Sequence, residues 1–336
     1  MARRNIAADQ YFMEIALRLS RRNLGNTAPN PSVGCVLVKG GKIIGRGWTA
    51  KGGRPHAETQ AINWAGKNAK GATAYVTLEP CCHHGKTPPC TKALIVAGIK
   101  RVVVAALDPD KRMCGNGIKE LEEAGIEVVV GVGRKEAEEI NAGFFLAAKK
   151  QRPFVTLKMA VSSDGKIGIK GKRVQISGEM AGAYSHVLRK THDAIMVGMN
   201  TVLCDDPELT CRLPGLEDCS PIRIVMGNNN CMPKDSKLLK NRKTKLWIIN
   251  NRNIEETLKM LAERGVTRLL VEGGAKLSKA VLDQGLVDQL IVIKSKEVTL
   301  AYYDNAIKAP EVELEKFKQN EKIFFNRDEI TIYESY

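Results

Sequence analysis

His56-Ala57-Glu58, then Pro80-Cys81, then Cys90 are the residues whose types and order could do chemistry. One histidine and two cysteines make a three-ligand zinc set. Three protein ligands leave the fourth tetrahedral position open, which is the catalytic rather than the structural arrangement. Zinc brings the pKa of a bound water down to about 7, so a nucleophile is available at neutral pH. Glu58 lies two residues from the histidine and is not needed as a ligand. It could take a proton from that water and pass it to a leaving amine, work typically worth ~10²–10⁴-fold.

These ligands need junctions between strands and helices to converge. HAETQAINWAG reads as a helix entered at His56, ATAYVTL (72–78) as a buried strand, and CTKALIVAG as a helix. Phe12, Ile15, Ala16 and Leu19 fall at helical spacing and predict a first amphipathic helix. Residues 33–48 read as a hairpin around Lys39-Gly40-Gly41. KRVVVAAL, NGIKELEEAG and IEVVVGV continue as strand, helix and strand, and 136–154 reads as one helix running into a basic stop at Pro153. The alternation implies a mostly parallel sheet with helices on its faces. The domain boundary is placed at about residue 150, giving domains 1–150 and 151–336.

The second half restarts the alternation. VTLKMAV, DAIMVG, IRIVM, KLWIIN, RLLVEGG and QLIVIK are strand candidates, with IEETLKMLAERG and KLSKAVLDQG as helices. Gly273 and Gly274 between a strand and a helix let a ligand approach the backbone, and the helix N-terminus offers free N–H groups to a phosphate. The same turn also serves simply as a tight connection. Gly131-Val132-Gly133 lacks the third glycine of a dinucleotide fingerprint, because Glu136 stands there, and reads as a turn. The last forty residues, charged and mixed, fit an edge hairpin or a poorly ordered tail.

Composition limits the classes. Hydrophobic residues make up 43% and charged residues 26% of 336, which excludes disorder and a collagen-like chain. No stretch approaches the ~18–20 apolar residues of a membrane span. The N-terminus lacks the apolar core of a secretory signal. Nine cysteines without an export signal argue against a disulfide scaffold. Cys35, Cys114, Cys204, Cys211, Cys219 and Cys231 show no ligand spacing, and Cys82 reads as an unused neighbour of Cys81. The net charge of +15 sits mainly in the first 150 residues, with 23 Lys and Arg against 13 Asp and Glu. It suits nucleic acid, phosphorylated small molecules or solubility alone.

The order H-x-E…P-C…C resembles the zinc nucleobase deaminases, whose short form has two residues between the cysteines. Here eight residues separate them, and two His, one Lys and one Thr in that insertion suit a phosphate or sugar contact at the pocket mouth. PNPSVGCVLV (29–38), HAE (56–58) and TLEPCCHHGKTPPC (77–90) look like the deaminase half of the bifunctional riboflavin-biosynthesis deaminase/reductases. LKMAVSSDGKI, VGMNTVLCDDPELTCR, RIVMGNNN and LLVEGGAKLSKAVL resemble the reductase half in the same order. The resemblance implies an α/β chain, with an N-terminal cytidine-deaminase-like three-layer domain and a C-terminal dihydrofolate-reductase-like domain. It implies zinc-dependent removal of the 2-amino group of a diaminopyrimidinone ribosylamine 5′-phosphate, then NADPH-dependent reduction of the ribosyl group to a ribityl chain.

By resemblance His56, Cys81 and Cys90 hold zinc, Glu58 is the proton shuttle, and Asn30, His83 and Lys86 contact substrate. Ala160, Gln175, Thr201, Asp205, Asn228 and the run Gly274, Ala275, Lys276, Leu277, Ser278, Lys279, Ala280 line the NADPH site. Arg189, Leu209, Arg212 and Glu272 meet the ribose phosphate. The implied setting is a cytoplasmic homo-oligomer, dimer or tetramer, acting on small ribose-phosphate pyrimidines, with no nucleic-acid or membrane partner. Two departures stand out. Asp110 and Lys111 replace the family's Asn-Pro, and Gln175 replaces its Trp. The alternatives are a deaminase whose reductase half is weak or inactive, a nucleic-acid-editing deaminase, and a zinc-stabilised scaffold. Aromatics of only 5% argue against the stacking platforms that editing needs.

Overall fold

The spacing of Phe12, Ala16 and their neighbours forms α1 (Ala2–Ser20), which buries Phe12, Met13, Ala16 and Leu17. The computed structural model describes residues 2–85, 87–110 and 113–336. The chain divides into two units, with the break between Gln151 and Arg152.

The first unit holds β1 (Gly34–Lys39), β2 (Lys42–Trp48), α2 (Ala57–Ala65), β3 (Thr73–Leu78), α3 (Cys90–Val96), β4 (Arg101–Ala106), α4 (Asn116–Glu123), β5 (Glu127–Val130), α5 (Arg134–Ile140) and α6 (Ala142–Lys150). Its five strands run in the order β2-β1-β3-β4-β5. β3, β4 and β5 are parallel, while the hairpin makes β1 antiparallel to both β2 and β3. The sheet is therefore mixed rather than mostly parallel. Val36, Leu37, Val76, Val103 and Val104 are fully buried, as expected of strands covered on both faces. Gly45 and Gly47 of β2 face α2 so closely that a Cβ on either would strike the carbonyl of Ala61 or Ala57. That approach fixes α2, and with it His56 and Glu58, against the sheet.

The expected single helix over 136–154 is instead two, α5 and α6, broken at Asn141. The Asn141 side chain is buried and completes a distant backbone. Its Oδ1 accepts the Ser32 N–H at 2.8 Å and its Nδ2 donates to the Ser32 carbonyl at 3.1 Å. A side chain that bonds to backbone in this way competes with a continuing helix.

The second unit holds β6 (Phe154–Val161), β7 (Lys166–Ile169), α7 (Glu179–Lys190), β8 (Ala194–Gly198), α8 (Met199–Asp205), β9 (Ile222–Met226), α9 (Lys237–Lys240), β10 (Leu246–Ile249), α10 (Ile254–Glu263), β11 (Arg268–Val271), α11 (Ala275–Asp283), β12 (Gln289–Ser295), β13 (Ala306–Lys308), β14 (Phe317–Phe325) and β15 (Asp328–Ser335). Eight strands form one sheet in the order β10-β9-β8-β11-β6-β12-β15-β14. The first six are parallel, and β15 and β14 close the edge antiparallel. The last residues are thus an edge hairpin, not a tail. Its turn uses Asn326 at φ 45°, a left-handed conformation that asparagine tolerates. Among the described residues no helix is long and apolar enough to cross a membrane.

Candidate active sites

In the first unit the ligand candidates come from three junctions. His56 precedes α2 in extended conformation, Cys81 follows β3, and Cys90 opens α3. His56 Nδ1 lies 3.3 Å from Cys90 Sγ and 3.6 Å from Cys81 Sγ. The three ligand atoms all lie within 4.8 Å of one another. Bonds of about 2.0 Å to nitrogen and 2.3 Å to sulfur around a tetrahedral ion put such atoms ~3.5–3.8 Å apart, so the donor set fits zinc. A hydrogen bond from the Cys90 thiol pulls the Cys81 thiol well down toward thiolate; burial opposes this and His56 assists it. The Cys81 thiol in turn raises His56.

Glu58 sits in the first turn of α2 and is buried. Burial, then the neighbouring Cys81 charge, pushes its carboxyl up from the ordinary carboxylate range. A carboxyl poised in this way exchanges protons readily near neutrality. Glu58, the candidate ligands His56 and Cys81, and the expected substrate residues Asn30 and His83 line one cavity of about 240 Å³. Asn30 Nδ2 donates to the Gly53 carbonyl at 2.8 Å and stands 3.5 Å from His56 Nε2. Lys86 lies outside the described residues, as does Lys111 of the first departure. Asp110 lines the cavity, and its N–H donates to Asp108 Oδ1 at 2.9 Å. His84 is exposed and lies off the cavity wall, and Cys82 is likewise off it.

Three residues of this cavity carried no sequence expectation. Arg54 lines it and bonds the Thr87 hydroxyl across the mouth. Phe144 closes one wall from α6. Glu79, buried beside Pro80, accepts N–H groups from Gly117 at 2.8 Å, Gly115 at 3.0 Å and Asp108 at 3.2 Å. It thereby ties Asp108, Gly115 and the first turn of α4 to the strand end that delivers Cys81. Its position directly before Pro-Cys was the only available signal.

In the second unit a cavity of about 590 Å³ lies beside the ends of the parallel strands. Ala160, Gln175, Thr201, Asp205, Gly274, Arg189, Leu209, Arg212 and Glu272 all line it. Glu272 and Arg189 form a bidentate pair at 2.9 and 3.0 Å, and Lys158 Nζ stands 3.9 Å from the same carboxylate. Burial alone would raise the Glu272 carboxyl, but Arg189 and then Lys158 outweigh it and hold it at about 2. Burial lowers the Lys158 amine, with Glu272 opposing. Lys158 and His186 were missed in the sequence, the first because it sits inside an apolar strand.

A Cβ on Gly274 would rest 3.4 Å from Thr201 Oγ1, so the helix N-terminus of α11 and the start of α8 meet there without a side chain between them. That open backbone suits a phosphorylated cofactor. The rest of the expected run does not reach the cavity wall. Leu277 and Ser278 are buried, Leu277 in the apolar core, while Lys279 turns outward to Asp283 at 3.0 Å. Ala280 also packs on the core, and Ala275 and Lys276 are absent from the wall. Asn228 is off the wall too, its side chain capping a short turn through the Asn230 N–H at 2.9 Å.

Comparison with known proteins gives two family matches. Residues 6–106 match the cytidine and deoxycytidylate deaminase zinc-binding region, and residues 153–295 match the RibD C-terminal domain. The riboflavin biosynthesis protein RibD of Aquifex aeolicus is 38% identical, covering 95% of this chain and 98% of that one. The RibD of Escherichia coli is 38% identical over 84% and 86%. The solved structure of Acinetobacter baumannii RibD superposes with a TM-score of 0.90 at 33% identity, covering 98% of this chain and 99% of that one. A diaminohydroxyphosphoribosylaminopyrimidine deaminase/5-amino-6-(5-phosphoribosylamino)uracil reductase from Thermotoga maritima gives 0.89 at 32% identity, covering 99% and 100%.

Proposed function

Because this chain belongs to the RibD family of bifunctional riboflavin-biosynthesis enzymes, with a cytidine-deaminase-like and a dihydrofolate-reductase-like domain, we propose which substrate, cofactors and residues carry its two reactions. The deaminase substrate is 2,5-diamino-6-ribosylamino-4(3H)-pyrimidinone 5′-phosphate, held by Asn30 and His83 in the smaller cavity. His56, Cys81 and Cys90 hold zinc, which would acidify a water to a pKa of about 7. Glu58 takes the proton of the attacking water and delivers it to the departing 2-amino nitrogen, so that ammonia leaves neutral. The observation that carries this reading is the convergence of three zinc-type donors within 4.8 Å of one another, two of them lining the cavity that the buried Glu58 carboxyl also lines.

The reductase works in the larger cavity. NADPH would supply the hydride that the ribosyl C1′ takes up. The ring oxygen released from C1′ needs one proton, and Lys158 Nζ holds one beside Glu272. Arg212 faces the substrate phosphate with a guanidinium that can offer two parallel donors, and Arg189, whose fork is engaged by Glu272, adds its charge. The cofactor lies along Ala160, Gln175, Thr201 and Asp205, with its phosphates toward Gly274 and the backbone of 275–277. The enzyme acts in the cytoplasm as a homo-oligomer.

Incubation of the purified protein with the diaminopyrimidinone phosphate tests this. Without NADPH the expected product is the ribosylamino-uracil phosphate with one ammonia released, and with NADPH it is the ribitylamino compound. No ammonia without NADPH would overturn the deaminase assignment. Deamination without any reduction when NADPH is added would leave only the first half standing.

Gln175 gives a separate prediction. It is exposed on the cavity wall and its Nε2 donates to the Ser177 carbonyl at 2.9 Å. A flat indole there would cover more of a nicotinamide, at about 25 cal/mol per Å². Gln175→Trp is therefore expected to tighten NADPH by up to about tenfold, or roughly 1.4 kcal/mol. Equal dissociation constants by titration calorimetry would show that position 175 does not touch the cofactor.

A further inference from the structure

Asp328 opens β15, in the C-terminal hairpin that has no part in either site described above. It is only 1% exposed. Its Oδ2 accepts the Gly178 N–H at 2.7 Å, while its buried Oδ1 meets no hydrogen-bond donor among the described residues. Gly178 is the residue from which α7 starts. A Cβ there would lie 2.7 Å from Arg327 Nε and 3.0 Å from Asp328 Oδ2, so the hairpin turn touches this backbone directly. The turn is itself anchored, since the Lys296 N–H donates to the Arg327 carbonyl at 2.8 Å and Asp328 pairs with Ser295 of β12.

What Gly178 holds matters more than Gly178 itself. The segment immediately before it, 173–177, is one wall of the larger cavity and contains Gln175. A carboxylate bonding the N–H of the residue that caps a 12-residue helix makes a charge-assisted bond and lies at the end of the helix where the dipole favours negative charge. The other end of α7 has its own restraint, because Arg189 is held by Glu272 and by the Thr210 carbonyl at 3.2 Å. Loss of the Asp328 bond therefore releases the N-terminal end and the wall beside it, and leaves the Arg189 end in place.

We propose that Asp328 is a positioning residue for the cofactor: it fixes Gly178 and, through it, the 173–177 wall against which NADPH binds. The proposal rests on the assignment of that wall to the cofactor. The test is Asp328→Ala and Asp328→Asn in the full-length enzyme, with NADPH affinity by calorimetry, steady-state reduction and melting temperature. Asp328→Ala is expected to raise both the dissociation constant and the KM for NADPH about tenfold, the scale of one lost hydrogen bond to a charged group, with kcat within about twofold. Asp328→Asn should restore most of the affinity, because its carbonyl oxygen can accept the same N–H. If the alanine variant unfolds the second unit, Asp328→Ser provides the same comparison, since its shorter side chain does not reach Gly178. A lowered melting temperature with unchanged NADPH affinity overturns the proposal, as does equal affinity for the alanine and asparagine variants. Failure of the underlying wall assignment looks different: Gln175→Trp would then leave the NADPH dissociation constant of the otherwise unaltered enzyme unchanged, and failure of the cofactor assignment as a whole would leave that enzyme without NADPH binding.

Discussion

Glu58→Gln is expected to cut deamination by at least ~10²-fold while the protein keeps its zinc and its reductase activity, the scale of one lost general acid–base group. The buried carboxyl lies in the first turn of α2, beside a ligand set that is complete without it. Glutamine keeps the volume and a hydrogen-bonding carbonyl but cannot accept a proton from water and hand it on. Zinc content by elemental analysis separates this role from a structural one, because a ligand's loss empties the site. Cys90→Ser is the contrast, losing zinc and activity together. Reduction of the already deaminated substrate uses residues of the second unit alone and should be nearly unchanged. If Glu58→Gln loses its zinc, the carboxyl is holding the site rather than moving a proton. If both activities fall in parallel, the two sites are not independent.

The three zinc-type donors were legible because each sits where an apolar strand or helix pattern begins or ends, so sequence spacing maps directly onto convergence in space. Glu79 was not legible in that way. Its role exists only once Gly115 and Gly117, more than thirty residues on, fold back to offer their N–H groups. Asn141 illustrates the same limit for secondary structure. The local pattern of 136–154 is helical, yet a bond to Ser32, 109 residues away, breaks it in two. Lys158 was hidden by the opposite effect. In VTLKMAV the apolar neighbours define a buried strand, and the lysine reads as a face of that strand until Glu272 arrives from β11's end. Of the run 274–280 only Gly274 lines the cavity. The run's helix amphipathicity turns Leu277, Ser278 and Val281 into the core and so takes those side chains away from a ligand. The C-terminal hairpin was least legible because β14, an edge strand that is mostly exposed, buries little and so carries little pattern.

Lys158→Met is expected to lower the kcat of reduction by ~10²-fold or more, with deamination unchanged and NADPH still bound. Opening the ribosyl ring leaves an oxygen that needs a proton as C1′ receives the hydride. Lys158 is the buried amine on that cavity wall, 3.9 Å from Glu272. Methionine has a similar length and leaves no buried charge of its own. Glu272 keeps its bidentate Arg189 partner at 2.9 and 3.0 Å, so no carboxylate is orphaned and the fold should tolerate the change. Lys158→Arg keeps the positive charge but holds its protons too tightly to release one, and is expected not to restore kcat. The pH dependence adds a second readout. Burial lowers the Lys158 amine against the opposing pull of Glu272, so its acidic form is lost below the pH at which a free lysine titrates. Reduction by the unaltered enzyme should therefore fall as pH rises through that lowered value, and the methionine variant should lack this limb. A rise in substrate KM with kcat unchanged would instead mark Lys158 as a binding group that stabilises substrate and transition state equally.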